Sequence, residues 1–313
     1  MKVVEMSNIV KRYGDFLALD HFNLHVNQGE IYGLLGPNGC GKTTAINCLL
    51  SLLKYEQGDV KIFGQPITPT SYAIKRRIGL VMQNIGVYDE LSVYENIDYF
   101  CGLYVNDKQE RESLVKKAIE FVELENFVKS KPKELSGGLL RRLNLACGIA
   151  HEPDLIILDE PTVAVDPQSR NKILQGIIDL RNQGKTIIYT THYMEEVEAL
   201  CDHITIMDHG KELVAGTSEQ IKAMSVSGET IDIESYDIPS QLIQDIKEID
   251  GVQDVQKIET GLQIKLAKDS NLVVPIIHLC DRSKINILNI SVKKPSLNDV
   301  FLEITGKELR DHA

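Results

Sequence analysis

The first two thirds of the chain alternate between short, almost purely apolar runs and segments in which apolar residues recur every three or four positions. The runs have the length of β-strands buried in a sheet, and the periodic segments have that of amphipathic helices. The strand-like runs are residues 31–35, 78–82, 155–158 and 186–190, and the helix-like segments are residues 46–53, 139–150 and 173–180. Strands that alternate with helices predict a doubly wound α/β core with a parallel sheet.

Two regions of this part of the chain depart from the alternation. The amino-terminal residues contain short strand patterns at 3–6 and 18–26, separated by turn residues. Further along, Ser92 followed by Glu95 matches a capping box, and helical periodicity follows it. We therefore expect strands at the amino terminus and a helical subdomain at about residues 92–150.

The last third has a different order of elements. Small polar residues at 223–229 indicate a linker, which places a first domain at 1–222 and a second at 230–313. Beyond the linker, the pattern predicts the order β-α-β-β-α-β, which is that of a split βαβ sandwich. We therefore expect a small α+β accessory domain of ferredoxin-like fold, followed by a helix over residues 295–304.

Composition narrows the function classes. The chain has 313 residues, 43% of them hydrophobic, and a net charge of −11. This acidity disfavours a nucleic-acid partner, since phosphate backbones need a clustered positive surface. Six cysteines show no metal-ligand or redox spacing, so we expect reduced core residues of a cytosolic protein. No apolar run approaches the roughly 18 residues of a membrane span, so any membrane role must come through a partner.

A glycine-rich loop lies between the predicted strand at 31–35 and the helix that follows. It fits the pattern G-x-x-x-x-G-K-[ST], in which main-chain N–H groups point at phosphate oxygens and the helix start adds its positive end. The lysine can reach the β- and γ-phosphates, and the next hydroxyl can ligate Mg²⁺. We therefore expect MgATP to bind on this loop, at Gly36, Pro37, Asn38, Gly39, Cys40, Gly41, Lys42, Thr43 and Thr44.

Two further strands carry polar groups to the carboxyl edge of the predicted sheet, where ligands of such folds bind. Asp159 and Glu160 follow the apolar run 155–158, and His192 follows the run 186–191. Asp159 is placed to hold Mg²⁺, and Glu160 is placed to polarise the attacking water. The His192 imidazole can hydrogen-bond the γ-phosphate and hold that water. With the glycine-rich loop, these residues predict ATP hydrolysis.

A short motif precedes the predicted helix at 139–150. Ser136 is placed to cap this helix, which leaves the amides of Gly137 and Gly138 available to an anion. Taken alone, the motif indicates no more than a capped helix start.

In order and spacing, these motifs resemble the ATP-binding subunits of ABC transporters over residues 1 to about 225. The resemblance implies a P-loop NTPase cassette with a RecA-like core, an antiparallel β subdomain and a helical subdomain. It makes Glu160 and His192 catalytic, and it makes Thr43, Gln83 and Asp159 the groups that hold Mg²⁺. It also assigns Tyr13 to stacking on adenine, Asp166 to the D-loop, and Leu135, Ser136, Gly137 and Gly138 to the signature that meets the ATP of the opposite protomer.

The carboxyl-terminal part resembles a subgroup of this family. Residues 295–303, read as Pro-Ser-Leu-Asn-Asp-Val-Phe-Leu-Glu, look like the C-terminal extension of daunorubicin-resistance-type exporters, the ABC-2 group. The resemblance implies two cassettes, as a homodimer or a heterodimer, beneath a separate membrane permease that the segment after Gln83 touches. It implies a cytoplasmic protein, peripheral at the inner face of the cell membrane.

Two positions depart from the family pattern. Leu139 stands where the signature usually has Gln, and Val-Ala-Val-Asp at 163–166 replaces the commoner Ser-Ala-Leu-Asp. Two alternatives to a transporter subunit stay open, namely a soluble regulatory ABC ATPase without a permease and a module that binds nucleotide without hydrolysing it. The transported substrate is set by the permease and is not encoded in this chain.

Overall fold

The computed structural model describes residues 1–268 and 270–306, and the chain divides into two compact units. The first unit is Met1–Ser218, and the second begins at Glu219. Within the described residues, no helix has both the length and the apolar character that a bilayer span requires.

The elements of the first unit follow one another in the predicted alternation. Its strands are β1 (Lys2–Tyr13), β2 (Phe16–Asn27), β3 (Ile31–Leu35), β4 (Gln57–Ile62), β5 (Gln65–Pro66), β6 (Ile78–Val81), β7 (Leu155–Asp159), β8 (Thr186–Thr191), β9 (His203–Asp208) and β10 (Lys211–Gly216). Its helices are α1 (Lys42–Leu49), α2 (Tyr72–Lys75), α3 (Val93–Gly102), α4 (Lys108–Phe121), α5 (Gly137–Ile149), α6 (Pro167–Asn182) and α7 (Met194–Leu200), with 3₁₀ turns at Glu125–Phe127 and Pro132–Glu134.

A six-stranded sheet forms the centre of this unit, in the order β10-β9-β3-β8-β7-β6. Neighbouring strands from β9 to β6 run parallel, while the edge strand β10 runs antiparallel. β3, β7 and β8 are buried along their whole length, because one face packs on α1 and the amino-terminal strands and the other on α3 to α6. Burial on both faces explains their continuous apolar runs, and the predicted doubly wound core is confirmed.

The strand register brings three loops to one edge of the sheet. Leu35 at the end of β3 pairs with Thr191, and Asp159 at the end of β7 pairs with Thr190. The chain therefore leaves β3, β7 and β8 at the same level, at their carboxyl ends. The glycine-rich loop, the loop that starts with Glu160 and the loop that carries His192 start here.

The amino-terminal strands form a separate antiparallel sheet in the order β2-β1-β4-β5. β1 and β2 are each 12 residues long, and the turn Gly14-Asp15 joins them. The predicted strand at 3–6 thus covers only a third of the observed one. The polar residues that follow it lie at a β-bulge, where Asn8 has a φ of 57° and the register between β1 and β2 shifts. The bulge interrupts the apolar alternation without ending the strand.

The helical part of the unit begins as predicted. Ser92 caps α3 by accepting from the Glu95 amide, and the Glu95 carboxylate accepts from the Ser92 amide, which completes the capping box. Asp107 caps α4 in the same way through the amide of Glu110. The apolar faces of α3, α4 and α5 share one core with the inner face of the central sheet.

The second unit has the predicted β-α-β-β-α-β order. After α8 (Ser218–Lys222), its elements are β11 (Ser227–Glu234), α9 (Ser240–Lys247), β12 (Val252–Ile258), β13 (Gly261–Ala267), α10 (Val273–Arg282), β14 (Asn289–Lys293) and α11 (Leu297–Thr305). The strands form an antiparallel sheet in the order β12-β13-β11-β14, and β11 and β12 flank β13 as a split βαβ requires. One face of the sheet packs on the apolar sides of α9 and α10. The predicted ferredoxin-like fold is confirmed.

The segment predicted as a linker contains ordered structure. The two units divide after Ser218, before the predicted limit at 222, and β11 takes up the last three residues of 223–229. The small residues there permit close packing. A Cβ on Gly228 would lie 2.2 Å from the Ala267 carbonyl oxygen, and the Ser225 hydroxyl is buried and donates to Glu303 at 2.8 Å. The far end of the predicted second domain, 307–313, lies outside the described residues.

Candidate active site

The glycine-rich loop joins β3 to the start of α1 at Lys42. Two of its glycines are required by their surroundings. A Cβ on Gly36 would lie 2.3 Å from the Met207 carbonyl oxygen. Gly41 has a φ of 116°, and its Cβ would lie 2.8 Å from the Ala18 carbonyl oxygen. The loop therefore packs tightly on β2 and β9, which fixes the amides at the start of α1.

The ammonium group of Lys42 lies at the centre of the loop and is almost wholly buried. It donates to the carbonyl oxygens of Gly36 and Pro37 at 2.8 and 3.3 Å. It also lies 3.1 Å from Oε1 of Glu160, whose side chain is equally buried. A buried cation held by carbonyl dipoles is a strong attractor for phosphate, since a charge loses little of its strength to solvent here.

A cavity of about 340 Å³ opens over the loop. It lies within the size range of small-ligand sites. Nine of the predicted residues line it, namely Tyr13, Asn38, Gly39, Gly41, Lys42, Thr43, Thr44, Gln83 and Glu160. Phe16 and Ala18 line it as well and were not predicted. Phe16 pairs with Tyr13 across the β1–β2 turn, and both rings are about half exposed, so together they offer an aromatic face at the mouth of the cavity.

Two oxygens beside the loop are spaced as ligands of a divalent cation. Thr43 Oγ1 donates to Asp159 Oδ2 at 3.0 Å, and Thr190 Oγ1 donates to Asp159 Oδ1 at 2.6 Å. Neighbouring oxygens around Mg²⁺ lie about 2.9 Å apart, given bonds of 2.0–2.1 Å. Thr43 and Asp159 therefore fit the adjacent ligand positions of Mg²⁺. Thr190, which was not predicted, orients the carboxylate.

Glu160 connects the remaining polar groups. Its Oε2 accepts from Gln83 Nε2 at 3.3 Å and lies 3.4 Å from His192 Nδ1, while Oε1 faces Lys42. The residue has a φ of 49°, and its amide donates to the carbonyl and hydroxyl oxygens of Thr190. A non-glycine residue in this conformation is held there by its surroundings. The structure thus brings together four side chains that lie up to 150 positions apart in the sequence.

Cys40 lies under the loop and away from the cavity. The thiol is buried, and this burial raises its pKa to about 11. It stays protonated at neutral pH and is therefore a poor nucleophile. Although Cys40 belongs to the loop, its thiol is therefore a poor target for chemical modification.

The signature residues and Asp166 lie together, apart from the cavity. Ser136 caps α5 by accepting from the Leu139 amide at 3.3 Å. Because the bond uses the main chain of Leu139, the cap does not depend on the missing glutamine. Asp166 caps α6 through the Ser169 amide and lies against Gly138. None of Leu135, Ser136, Gly137, Gly138 and Asp166 lines the cavity.

Known proteins that are similar to this chain agree with an ATP site of this kind. A family model described as "ABC transporter" matches residues 19–163, and one described as "ATP-binding protein DrrA1-3-like, C-terminal domain" matches residues 216–305. The linearmycin resistance ATP-binding protein LnrL of Bacillus subtilis (strain 168) is 34% identical, over 99% of this chain and 100% of that protein. The chain belongs to the ABC transporter family.

Other relatives of this ABC chain agree. A Nod factor export ATP-binding protein I of Burkholderia thailandensis is 33% identical over 98% of both proteins. CbiO1 of Clostridium perfringens, part of an ABC transporter complex, is 26% identical with a TM-score of 0.66 over 71% of this chain and 91% of its own. The dimeric cassette MJ0796 bound to ADP and Pi, a post-hydrolysis state, is 27% identical with a TM-score of 0.63 over 68% of this chain and 98% of its own. The ABC chain is accordingly an ATP-binding subunit and an ATPase.

Close packing requires a glycine at Gly138, the second glycine of the signature in this ABC subunit. A Cβ on Gly138 would lie 2.2 Å from Ser169 Oγ and 2.9 Å from Asp166 Oδ2, whereas one on Gly137 would meet no atom closer than 3.9 Å. We expect Gly138→Ala to lower the free energy of unfolding by about 1–3 kcal/mol, because the added methyl must push the start of α6 away. Urea denaturation of the purified chain measures this.

Gly137→Ala is the matched control for that substitution. It lies one residue earlier on the same helix and has room for the methyl group, so we expect a change within about 0.5 kcal/mol. Equal destabilisation by the two variants would contradict the packing argument.

Arg141 is a further residue of the ABC site, to which the sequence patterns assign no role. Its guanidinium is buried and donates to the carbonyl oxygens of Gln83 at 2.6 Å and of Val163 at 3.4 Å. It therefore ties the helix that starts at the signature to the loop that starts at Gln83. Burial lowers the pKa of Arg141 below its usual value, and an arginine remains charged in spite of this. The position of the pair Arg141-Arg142 one turn into a largely apolar helix was the available signal.

Proposed function

We propose that this ABC subunit hydrolyses MgATP between two cassettes arranged head-to-tail and thereby drives a separate membrane permease of an exporter. The observation that carries the proposal is the Glu160 carboxylate, which faces Lys42, Gln83 and His192 at 3.1–3.4 Å over the phosphate loop. A general base needs such a position beside the γ-phosphate. The names of the exporter relatives support the coupling to export.

The separation of the two clusters supports a site shared by two cassettes. None of the signature residues lines the loop cavity of its own chain. At the start of α5, Ser136 and Gly137 are exposed on the surface of the molecule. In a head-to-tail pair, each ATP would lie between the loop of one cassette and these residues of the other. ATP would then join the two cassettes through its γ-phosphate, and hydrolysis would release them.

Thr43 and Asp159 would hold Mg²⁺ together with Gln83, which also lines the cavity. The cation supplies neutralisation of charge on the phosphate oxygens. Lys42 pairs with Glu160 in this structure, and a triphosphate carries enough negative charge to compete for the ammonium group. Once Lys42 turns to phosphate, Glu160 is left to accept a proton from water, with Gln83 and His192 fixing its second oxygen.

The aromatic stacking role falls to Tyr13, and we add Phe16 to it. Both rings are half exposed at the mouth of the cavity and can move onto a purine. Asp166 would act from the signature side, where it lies against Gly138. These assignments complete the roles proposed for the residues predicted from sequence.

The segment after Gln83 is our candidate for the permease contact. Ile85 and Tyr88 are about 40% exposed there, and Tyr88 packs on Tyr99 and Phe100 with ring centroids 5.0 and 6.0 Å apart. An exposed apolar and aromatic patch of this kind is typical of protein interfaces. Binding there would place the chain at the inner face of the cell membrane.

Co-purification of the tagged full chain from solubilised membranes tests the proposal. We expect a multi-span membrane protein to co-purify with it. Ile85→Asp should reduce the recovered permease at least about tenfold, since it buries a charge in the contact. Leu52→Asp, at another exposed apolar position, should leave recovery unchanged.

Two results would speak against this proposal, the first against the coupling to a permease and the second against the place of the contact. One is that no membrane protein accompanies the active ATPase, which would favour a soluble regulatory ABC ATPase. The other is an Ile85→Asp chain that recovers as much permease as the parent, which would move the contact elsewhere.

A further inference from the structure

A buried carboxylate outside the ATP cavity lies on α7. The Glu196 side chain has no solvent exposure and accepts three hydrogen bonds. Tyr189 Oη and Thr191 Oγ1 donate to its Oε2 at 2.7 and 2.8 Å, and Arg170 Nε donates to its Oε1 at 2.7 Å. A buried charge surrounded in this way is stable as long as every partner stays in place, and the loss of one partner is costly.

Two of the donors lie on the strand that leads into the loop carrying His192. Tyr189 and Thr191 lie on β8, and Thr191 immediately precedes the histidine. The Thr191 hydroxyl also accepts from the Tyr193 amide at 3.0 Å. One hydroxyl therefore connects Glu196 to the main chain on both sides of His192. Burial, and next the Glu196 carboxylate, raise the pKa of Tyr189 well above its usual value, so the phenol keeps its proton and continues to donate.

The third donor reaches the segment that ends in Asp166. Arg170 lies one turn along α6, and its amide donates to the Asp166 carbonyl oxygen at 2.8 Å. Its guanidinium also lies over the ring of Tyr193, 4.9 Å from the centroid. A second link runs through Tyr189 Oη, which is 3.3 Å from the hydroxyl of Thr162, two residues after Glu160. The carboxylate of Glu196 thus joins two separate segments of the site.

We propose that Glu196 is a positioning residue that holds the His192 loop in register with the segment from Thr162 to Asp166. This proposal rests on the roles proposed above for His192 and Asp166. Asp166 lies against the signature, which would contact the ATP of the opposite cassette, whereas His192 faces the ATP of its own. Because the hydrogen bonds to Glu196 tolerate little change in length, the two segments would move together. Glu196 would therefore link the state of one ATP site to hydrolysis at the other.

Glu196→Gln in the full chain tests the proposal, with Glu195→Gln as the matched control. Glu195 precedes Glu196 on α7 and is exposed. The amide keeps the size of the carboxylate but removes its charge and one acceptor oxygen. We expect Glu196→Gln to lower kcat for ATP about ten- to a hundredfold through misplacement of His192. The KM for ATP should stay within about threefold, since the phosphate loop is untouched.

A double-mutant cycle with His192→Ala separates positioning from general damage. If Glu196 acts through His192, Glu196→Gln should lower the residual kcat of His192→Ala by less than about twofold, as measured with radiolabelled ATP. An equal loss in both backgrounds, or a Glu196→Gln chain with parental kcat, overturns the proposal. A His192→Ala chain with parental turnover instead overturns the role of His192 itself. Should Glu196→Gln not fold, Thr191→Val takes its place in the same cycle.

Discussion

Glu160→Gln should abolish ATP turnover while the protein still binds ATP. The substitution keeps the shape of a side chain that contacts Lys42, Gln83 and His192, but it removes the charge that accepts a proton. General-base catalysis contributes about 10²–10⁴-fold, so kcat should fall at least about a hundredfold. A phosphate-release assay measures the loss.

The same variant should accumulate ATP-dependent dimers, because ATP that is not hydrolysed continues to join the two cassettes. Size-exclusion chromatography with ATP and with ADP measures this. Glu125→Gln, an exposed glutamate in the 3₁₀ turn after α4, is the matched control and should turn over like the parent. Parental turnover by Glu160→Gln would remove Glu160 from its catalytic role.

Lys42→Ala should weaken nucleotide binding as well as turnover. The ammonium group is the one cation within reach of the phosphate loop among the residues that line its cavity, and the loop carbonyls of Gly36 and Pro37 hold it in place. A hydrogen bond to a charged group is worth about 1.5–3 kcal/mol, which corresponds to a rise of about ten- to 150-fold in the Kd for ATP. Isothermal titration with a non-hydrolysable ATP analogue measures the affinity.

A structural cost accompanies this substitution and must be separated from the effect on binding. Without the ammonium, the buried Glu160 carboxylate loses its counter-charge, so Lys42→Ala should also unfold at lower denaturant concentration. Lys54→Ala, at an exposed position just after α1, should change neither property. Unchanged affinity in a folded Lys42→Ala chain would contradict the whole account of the ATP site.

Much of the fold follows from local sequence because its central strands are unusual. β3, β7 and β8 are buried on both faces, so their sequences are short, mostly apolar runs that stand out from the segments around them. The long strand β1 was harder to predict, because the bulge at Asn8 places polar residues within it. Gly228 was also misleading, since close packing in β11 requires the same small residue that a flexible linker does.

The ATP site likewise has one part that local sequence predicts and another part that it does not. The glycine-rich loop is contiguous, so its pattern alone indicates phosphate binding. Phe16 and Thr190 act through contacts with residues 3 and 31 positions away, and nothing in their immediate neighbours indicates a role. The Glu196 network is the extreme case, since a glutamate on an amphipathic helix is usually solvated and here has no exposure.

By itself, the sequence determined that this chain has a phosphate-binding loop on a doubly wound core and that two carboxylates and a histidine end neighbouring strands. Apolar periodicity and glycine spacing are local properties, and these features depend on nothing else. The tertiary structure decided which polar side chains of the site contact one another. It placed Glu160 between Lys42 and His192, set the signature apart from the cavity, and buried Glu196 among three donors. Such pairings depend on strand register and helix packing, which join residues far apart in the chain.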